Sequence, residues 1–194
     1  MAPRNRNLIL GSGLVLVVCL AAIVYVVPRS DVLTESLPGR ISDRDFWTLV
    51  SDFSENGGFF RSDNFVSNET TFQYVIPDLK ERTKPGGVYL GVGPDQNFTY
   101  IAAIRPKVAF TVDIRKQNML EHLMYKALFE LSEDRAQFLS RLFSRRVPAG
   151  AGDKSTAELL GAFNAAESDP ALQTQNLKAI VERLRDYHGF SLTA

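Results

Sequence analysis

Hydrophobic residues are most concentrated near the N-terminus of the chain. Residues 8–27 form an uncharged and largely apolar run of 20 residues, and as a helix they would extend about 30 Å, the thickness of a bilayer core. The pattern predicts a transmembrane helix, with a cleaved signal peptide as the alternative. Since Arg4 and Arg6 precede the run, the positive-inside rule predicts a single-pass membrane protein with a cytoplasmic N-terminus.

After this run, apolar residues recur mainly at helical spacing. Residues 28–41 contain two prolines and a glycine, which predicts a linker. Ser42 and Asp45 then form a capping-box pattern at the start of a short amphipathic helix. The apolar stripe over residues 69–82 predicts another helix, which Pro77 should kink or restart.

Further helices are predicted toward the C-terminus. Apolar residues at helical spacing mark a helix over residues 120–131, and Ser132 is expected to cap the next one, which carries the apolar residues of 138–143. Residues 157–187 are rich in alanine and predict helix that is broken near Pro170.

Two short apolar runs interrupt this helical pattern. Val88–Leu90 leads into a turn that contains glycine, and Lys107–Ile114 is rich in β-branched residues. Residues 98–104, between them, suit a helix. Strand, helix and strand in this order predict a βαβ unit in which the strands are parallel neighbours. Only two strands follow from the pattern, whereas a doubly wound sheet has about five or more.

The first candidate site is the turn after the first predicted strand. Gly91 and Gly93 would let a nucleotide approach the backbone closely, next to the free N–H groups of a helix N-terminus. Asp113 follows Gly93 by 20 residues, at a strand end where an acid can accept hydrogen bonds from a ribose. Gln96 stands where a dinucleotide fingerprint has its third glycine, which weakens the case for NAD. The alternative is a tight turn, with Asp113 capping the next helix.

Three blocks of sequence carry a family resemblance. Residues 57–79, GGFFRSDNFVSNETTFQYVIPDL, 86–115, GGVYLGVGPDQNFTYIAAIRPKVAFTVDIR, and 122–145, HLMYKALFELSEDRAQFLSRLFSR, resemble the N-terminal half of a bacterial family with the fold of class I S-adenosylmethionine-dependent methyltransferases. Tyr89 departs from that pattern, because it replaces an acid, and Asp95 replaces a glycine. The resemblance implies S-adenosylmethionine as a cofactor, held by four residues: Gly91, Gly93, Asp95 and Asp113.

A second candidate site is the loop of residues 54–69, which could recognise a polar substrate over the cofactor turn. The alternative is that its polar residues form local turns and caps. The candidates in this loop are Arg61, Asp63, Asn64, Asn68 and Glu69.

The charge and the rare residues exclude several function classes. Lys plus Arg and Asp plus Glu number 22 each, so no net positive field favours nucleic acid, and we predict no nucleic-acid partner. Cys19 is the only cysteine and lies within the apolar run, so no thiolate metal site is expected beyond it, and we predict no metal. His122 is expected on a helix face, with acid–base chemistry as the lesser alternative.

These observations predict an α/β fold: a partial Rossmann-like, methyltransferase-like domain, rich in helix and preceded by one N-terminal transmembrane helix. The resemblance implies that relatives carry more chain, so we expect a truncated protein that lacks a C-terminal half and therefore lacks full catalytic competence. The predicted segments are a cytoplasmic N-terminus (1–7), the transmembrane helix (8–27), a linker (28–41), the partial domain (42–146) and a helical C-terminal extension (147–194).

Three functions remain open at this point. The leading hypothesis is a membrane-anchored protein that binds a nucleotide cofactor such as S-adenosylmethionine, and whose enzymatic activity is uncertain. The alternative is a non-enzymatic, membrane-tethered interaction protein with a protein partner. A NAD-dependent oxidoreductase comes third, because Gln96 breaks its fingerprint.

Overall fold

The computed structural model describes residues 38–55, 61, 70–93 and 95–192. Of these described residues, 61% are helical. The seven α-helices described are α1 (Asp43–Asp52), α2 (Ile76–Arg82), α3 (Gln96–Ile104), α4 (Lys116–Leu131), α5 (Arg135–Phe143), α6 (Thr156–Ala165) and α7 (Pro170–Glu182). Short 3-10 turns cover Phe72–Val75 and Ala151–Asp153, and α7 continues into a π-helical turn, Arg183–Tyr187.

Capping residues fix where several helices begin. The Ser42 side chain accepts a hydrogen bond from the Asp45 amide at 3.1 Å, as the sequence predicts. Pro77 lies in the first turn of α2, so it restarts the helical path after the 3-10 turn. The prediction for α5 was wrong in detail: its cap is Asp134, whose side chain accepts from the Gln137 amide, whereas Ser132 lies at the end of α4.

The two predicted strands form a parallel pair. β1 (Val88–Val92) lies beside β2 (Val108–Val112), with Val88 opposite Val108 and Val92 opposite Val112. α3 makes the crossover between them and packs on β1. The parallel pairing predicted for this βαβ unit is therefore confirmed.

The predicted fold class was wrong. The described chain is mainly helical and its sheet has only two strands, so it is not a partial methyltransferase-like Rossmann sheet. The physical reason is that the sequence after β2 keeps a helical period. Helices α4 to α7 therefore pack mainly on one another and on the C-terminal segment, instead of flanking further strands.

Two apolar cores lie among these later helices. The first joins Leu123 and Ala127 of α4 to Leu184 and Phe190 near the C-terminus. Phe46 and Trp47 of α1 pack against it, and the Trp47 and Phe190 rings stack with centroids 5.0 Å apart. The second core consists of Ala136, Ala151, Leu159 and Phe163.

A buried histidine lies beside the first core and contacts two carboxylates. His188 Nε2 lies 2.6 Å from Glu130 Oε2 of α4, and its Nδ1 lies 3.0 Å from Asp43 Oδ1 in the first turn of α1. The imidazole also stacks on Phe190. The C-terminal segment is thus bound to both α1 and α4 by polar and aromatic contacts.

The predicted transmembrane helix, residues 8–27, lies outside the described residues, as do the predicted cytoplasmic N-terminus and most of the predicted linker. Within the described part of the chain, no helix has both the length and the apolar character that a membrane span requires.

Candidate functional site

The first predicted site lies at the carboxyl ends of β1 and β2. Gly93 has φ of +70°, a conformation that favours glycine, and it follows directly on β1. Asp113 directly follows β2, and its Oδ2 would lie 3.2 Å from a Cβ added to Gly93. The fold therefore brings these two residues together, as the βαβ pattern predicts.

Gly91 is required by a close approach within the protein. A Cβ at this position would overlap the Asn97 side chain at the start of α3. Asn97 is buried, accepts a hydrogen bond from the Tyr89 hydroxyl at 2.6 Å and donates to the Val92 carbonyl at 3.2 Å. The space that the missing side chain leaves is thus filled by Asn97, which ties α3 to β1.

Asp113 is engaged by a neighbouring cation. Its Oδ1 accepts hydrogen bonds from the amide and Nε of Arg115, both at 2.8 Å, and its Oδ2 accepts from Arg115 Nη2 at 2.7 Å. The two side chains are only 7% and 11% exposed. Hydrogen bonding from the Arg115 side chain lowers the pKa of Asp113, so the carboxylate is ionised at neutral pH.

The Gly93 carbonyl is covered from the side of α4. The buried Asn118 donates its Nδ2–H to this oxygen at 3.1 Å. His122 Nε2 lies 3.3 Å from the same oxygen, a distance at which the Nε2–H tautomer donates. These contacts hold the turn after β1 against α4.

A pair of weak acids, Glu121 and Tyr125, lies beside His122 on α4. Burial raises the pKa of Glu121, and one of its oxygens, Oε2, is buried without a hydrogen-bond partner. Burial also raises the pKa of Tyr125, to about 12, with the negative charges of Glu121 and Asp95 adding to the effect. Asp95, the remaining predicted cofactor residue, therefore lies close enough to interact electrostatically with Tyr125 and Glu121.

Together these residues form a network that we call the turn network: Asn97, Asp113, Arg115, Asn118 and His122, gathered around Gly91 and Gly93. Three of its hydrogen bonds join Arg115 to Asp113, and Asn118 and His122 both contact the Gly93 carbonyl. The sequence indicated the two glycines, Asp113 and His122, but not the three amide and guanidinium partners. Arg115 stands two residues from Asp113, yet an ion pair at that spacing depends on rotamers that a linear pattern does not specify.

The second predicted site falls mostly outside the described residues. Arg61 is described and exposed, whereas Asp63, Asn64, Asn68 and Glu69 are not among the described residues. Over the described ranges of the chain, no group of three or more His, Cys, Asp or Glu side chains is arranged to hold a metal ion.

A different surface feature stands out beside the turn network. Alternate residues of the two paired strands share one face of the sheet, and every residue on this face is apolar. Four of them are between 57% and 75% exposed: Val88, Leu90, Val92 and Val112. We call this surface the apolar sheet face, and it consists of Val88, Leu90, Val92, Val108, Phe110 and Val112.

The opposite face of the sheet is partly covered by a helix. There Gly91 is buried and Tyr89 is partly buried, because α3 packs against β1, whereas Ala109 on β2 is exposed. On the apolar sheet face, the Phe53 ring at the end of α1 lies 6.4 Å from the Phe110 ring, measured between centroids. Phe53 is itself 72% exposed, so it extends the apolar surface.

The family described as "Domain of unknown function (DUF7790)" matches residues 64–188, more than half of the chain. No curated protein and no solved structure matches the chain. The matched segment includes both the turn network and the apolar sheet face, whereas α1 precedes it.

Proposed function

Because the chain belongs to the DUF7790 family, a domain of unknown function, its function must be inferred from its own chemistry, and we propose that it is a membrane-tethered interaction protein. In this proposal the apolar sheet face binds another polypeptide. The observation that carries the proposal is the exposure of Leu90 and Val92, which are 75% and 71% exposed in the middle and at the end of β1.

Parallel sheets are normally covered on both faces, because each face is apolar and water on either face is unfavourable. Here α3 packs on one face at β1, and four apolar residues of the other face remain exposed. Contiguous exposed apolar patches of a few hundred Å² typically mark interaction sites. A polypeptide that covers this face would complete the layer that a parallel pair ordinarily has.

The membrane part of the proposal depends on the sequence of residues 8–27. Their uncharged length suits a bilayer span, and a tether would confine the apolar sheet face to the volume close to a membrane. An anchored interaction protein needs no open cleft, since flat apolar surfaces serve protein contacts.

The competing hypothesis, S-adenosylmethionine binding at Gly93 and Asp113, draws support from the strand–turn–helix geometry alone. Against it, Asp113 already accepts three hydrogen bonds from Arg115 and is only 7% exposed, which leaves a ribose little access to its remaining acceptor position on Oδ2. The Gly93 carbonyl is likewise occupied by Asn118. NAD binding has less support still, because Gln96 stands where the dinucleotide fingerprint has its third glycine. Calorimetry of the full chain with S-adenosylmethionine tests this alternative, and saturable heat that Asp113→Asn abolishes would favour it.

Site-specific photocrosslinking tests the proposed function directly. A photoreactive residue replaces Leu90 in the full chain, in cells that make the protein, and a matched variant carries it at Leu177. Leu177 is the control because it is an apolar residue with 62% exposure on α7. We expect a discrete protein adduct from position 90 and none of comparable intensity from position 177.

The outcome that contradicts the proposal is equally specific. If position 90 yields only lipid adducts or none, while the variant is made and folded like the parent chain, the apolar sheet face does not bind a polypeptide. Positions 88 and 92 repeat the test on the same face, so a single badly oriented probe cannot decide the result.

A further inference from the structure

We infer that the polypeptide bound by the apolar sheet face is a second copy of this chain, so that two sheets pack face to face in a symmetric dimer. This inference rests on the proposed function, because it names the occupant of the same surface. Three properties of the described surface support it: its size, its lack of charge and its shape.

The exposed area suits a dimer interface. Five apolar residues, Val88, Leu90, Val92, Val112 and Phe53, are between 57% and 75% exposed. Together they leave about 600 Å² of surface, compared with the ~800 Å² that each partner contributes to an interface of standard size. This area lies at the upper end of the range of about 300–600 Å² found for the largest apolar patch of a monomer, and such patches are often functional. Its rim needs to add only a small further area.

The lack of charge makes the face complementary to itself. In a twofold interface the same patch meets its own copy, so any charge at its centre would face a like charge. The six residues of the apolar sheet face are all uncharged, and therefore two copies can meet without burying charge. A strongly acidic or basic partner would gain nothing from this surface.

The backbone geometry also suits this contact. Two sheets pack face to face about 10 Å apart when their inner faces carry interdigitating apolar side chains. Val88, Leu90 and Val92 alternate along β1 and Val112 extends the row onto β2, which provides such a face. A shared membrane would favour the contact further, since tethering raises the effective concentration of the copies.

Cysteine crosslinking of the full chain in detergent or lipid nanodiscs tests this inference. In a Cys19→Ser background, single cysteines replace Val88, Leu90 or Val92, and Leu177→Cys serves as the matched control. A bis-maleimide with a reach of about 10 Å should link two copies through the face, because packed sheets are separated by about that distance. We expect at least one face position to give about tenfold more dimer than Leu177→Cys.

A second measurement separates this dimer from association through the anchor. Sedimentation equilibrium compares Leu90→Asp with Leu177→Asp, both of which keep residues 8–27. An unpaired charge buried at the interface should raise the dimer dissociation constant about tenfold or more, whereas the control should leave it unchanged. If Leu90→Asp lowers the thermal midpoint of the chain, Leu90→Ser replaces it in the comparison.

Two results would overturn the inference. One is equal crosslinking and equal dissociation constants for the face and control variants. The other is a photoadduct at position 90 that contains a different polypeptide and no second copy. That second result would leave the proposed function intact, whereas the absence of every protein adduct at position 90 would contradict both.

Discussion

The βαβ unit and the helices that follow it bury their apolar residues in different ways. In α6, Leu159 and Phe163 are fully buried against the helix before them. In β1, Leu90 is as hydrophobic as Leu159 but remains 75% exposed. Both segments are strongly apolar in sequence, so the difference arises from what each segment finds to pack against.

This comparison shows that an apolar sequence pattern predicts that a segment will be buried, but it does not predict which residues will cover that segment. Helices α4 to α7 follow one another closely, and each supplies an apolar stripe to its neighbour. Among the described residues, α3 packs on one side of the sheet at β1, while four apolar residues on the other side are exposed. The helical region buries two apolar clusters, although single residues such as Leu177 stay exposed, whereas four residues of the apolar sheet face are exposed side by side.

The largest loss of stability is expected in the second core, where a helix buries its apolar residues. Phe163→Ala removes a fully buried ring and should lower the free energy of unfolding by about 4 kcal/mol, through lost burial and a residual cavity. Urea unfolding of the full chain measures the change. Leu160→Ala, at a partly exposed position of the same helix, is the control and should cost about 1 kcal/mol or less.

A smaller effect is expected in the turn network. Asp113→Ala removes the carboxylate that accepts three hydrogen bonds from Arg115 and should lower the free energy of unfolding by about 2 kcal/mol, through the loss of charge-assisted hydrogen bonds. Replacing Arg115 as well, by Met, should recover part of the loss. A loss below about 1 kcal/mol would show that the ion pair is not structural and would reopen the ribose-binding hypothesis for Asp113.

The direction of the Asp113 pKa shift determines how the stability of the parent chain and of this variant should depend on pH. Because the pKa of Asp113 in the folded chain is lowered from 3.8, its contribution is complete above about pH 5 and is lost as the pH falls through the lowered pKa. Unfolding free energies measured from pH 7 to pH 2 should therefore fall more steeply for the parent chain than for Asp113→Ala.

The smallest effect on folding is expected on the apolar sheet face. Leu90→Ala should change the free energy of unfolding by no more than about 0.5 kcal/mol, because Leu90 is mostly exposed in the single chain. Urea unfolding must be measured at protein concentrations below the dimer dissociation constant. A loss above about 2 kcal/mol would mean that this face is already covered within one copy, and the contrast between the two regions would disappear.

Local structure followed the sequence closely, because its causes are local. Ser42 caps α1 and Pro77 begins α2 as expected, and α7 starts at Pro170, where the predicted helix was broken. The error at α5 has a simple origin, since Ser132 and Asp134 both suit an N-cap and lie two residues apart. Only the path of the chain after α4 decides between them.

The fold class and the site were harder to predict because their causes are not local. One correctly predicted βαβ unit suggested a larger sheet, but the packing of α4 on the C-terminal segment is set by residues more than 50 positions apart, such as Glu130 and His188. Likewise, Gly91 and Gly93 suggested a ligand, whereas in the structure Asn97 and Asp113 occupy the space beside them. Glycine patterns indicate close approach without specifying what approaches.

The stack of Trp47, Phe190 and His188 has a consequence for where this domain can be cut. The family match spans residues 64–188, but Asp43 and Trp47 precede it and Phe190 follows it. An expression fragment trimmed to the matched limits would lose these three residues and would open the apolar core around Leu123 to water. The unit that folds is thus longer at both ends than the unit that sequence comparison outlines.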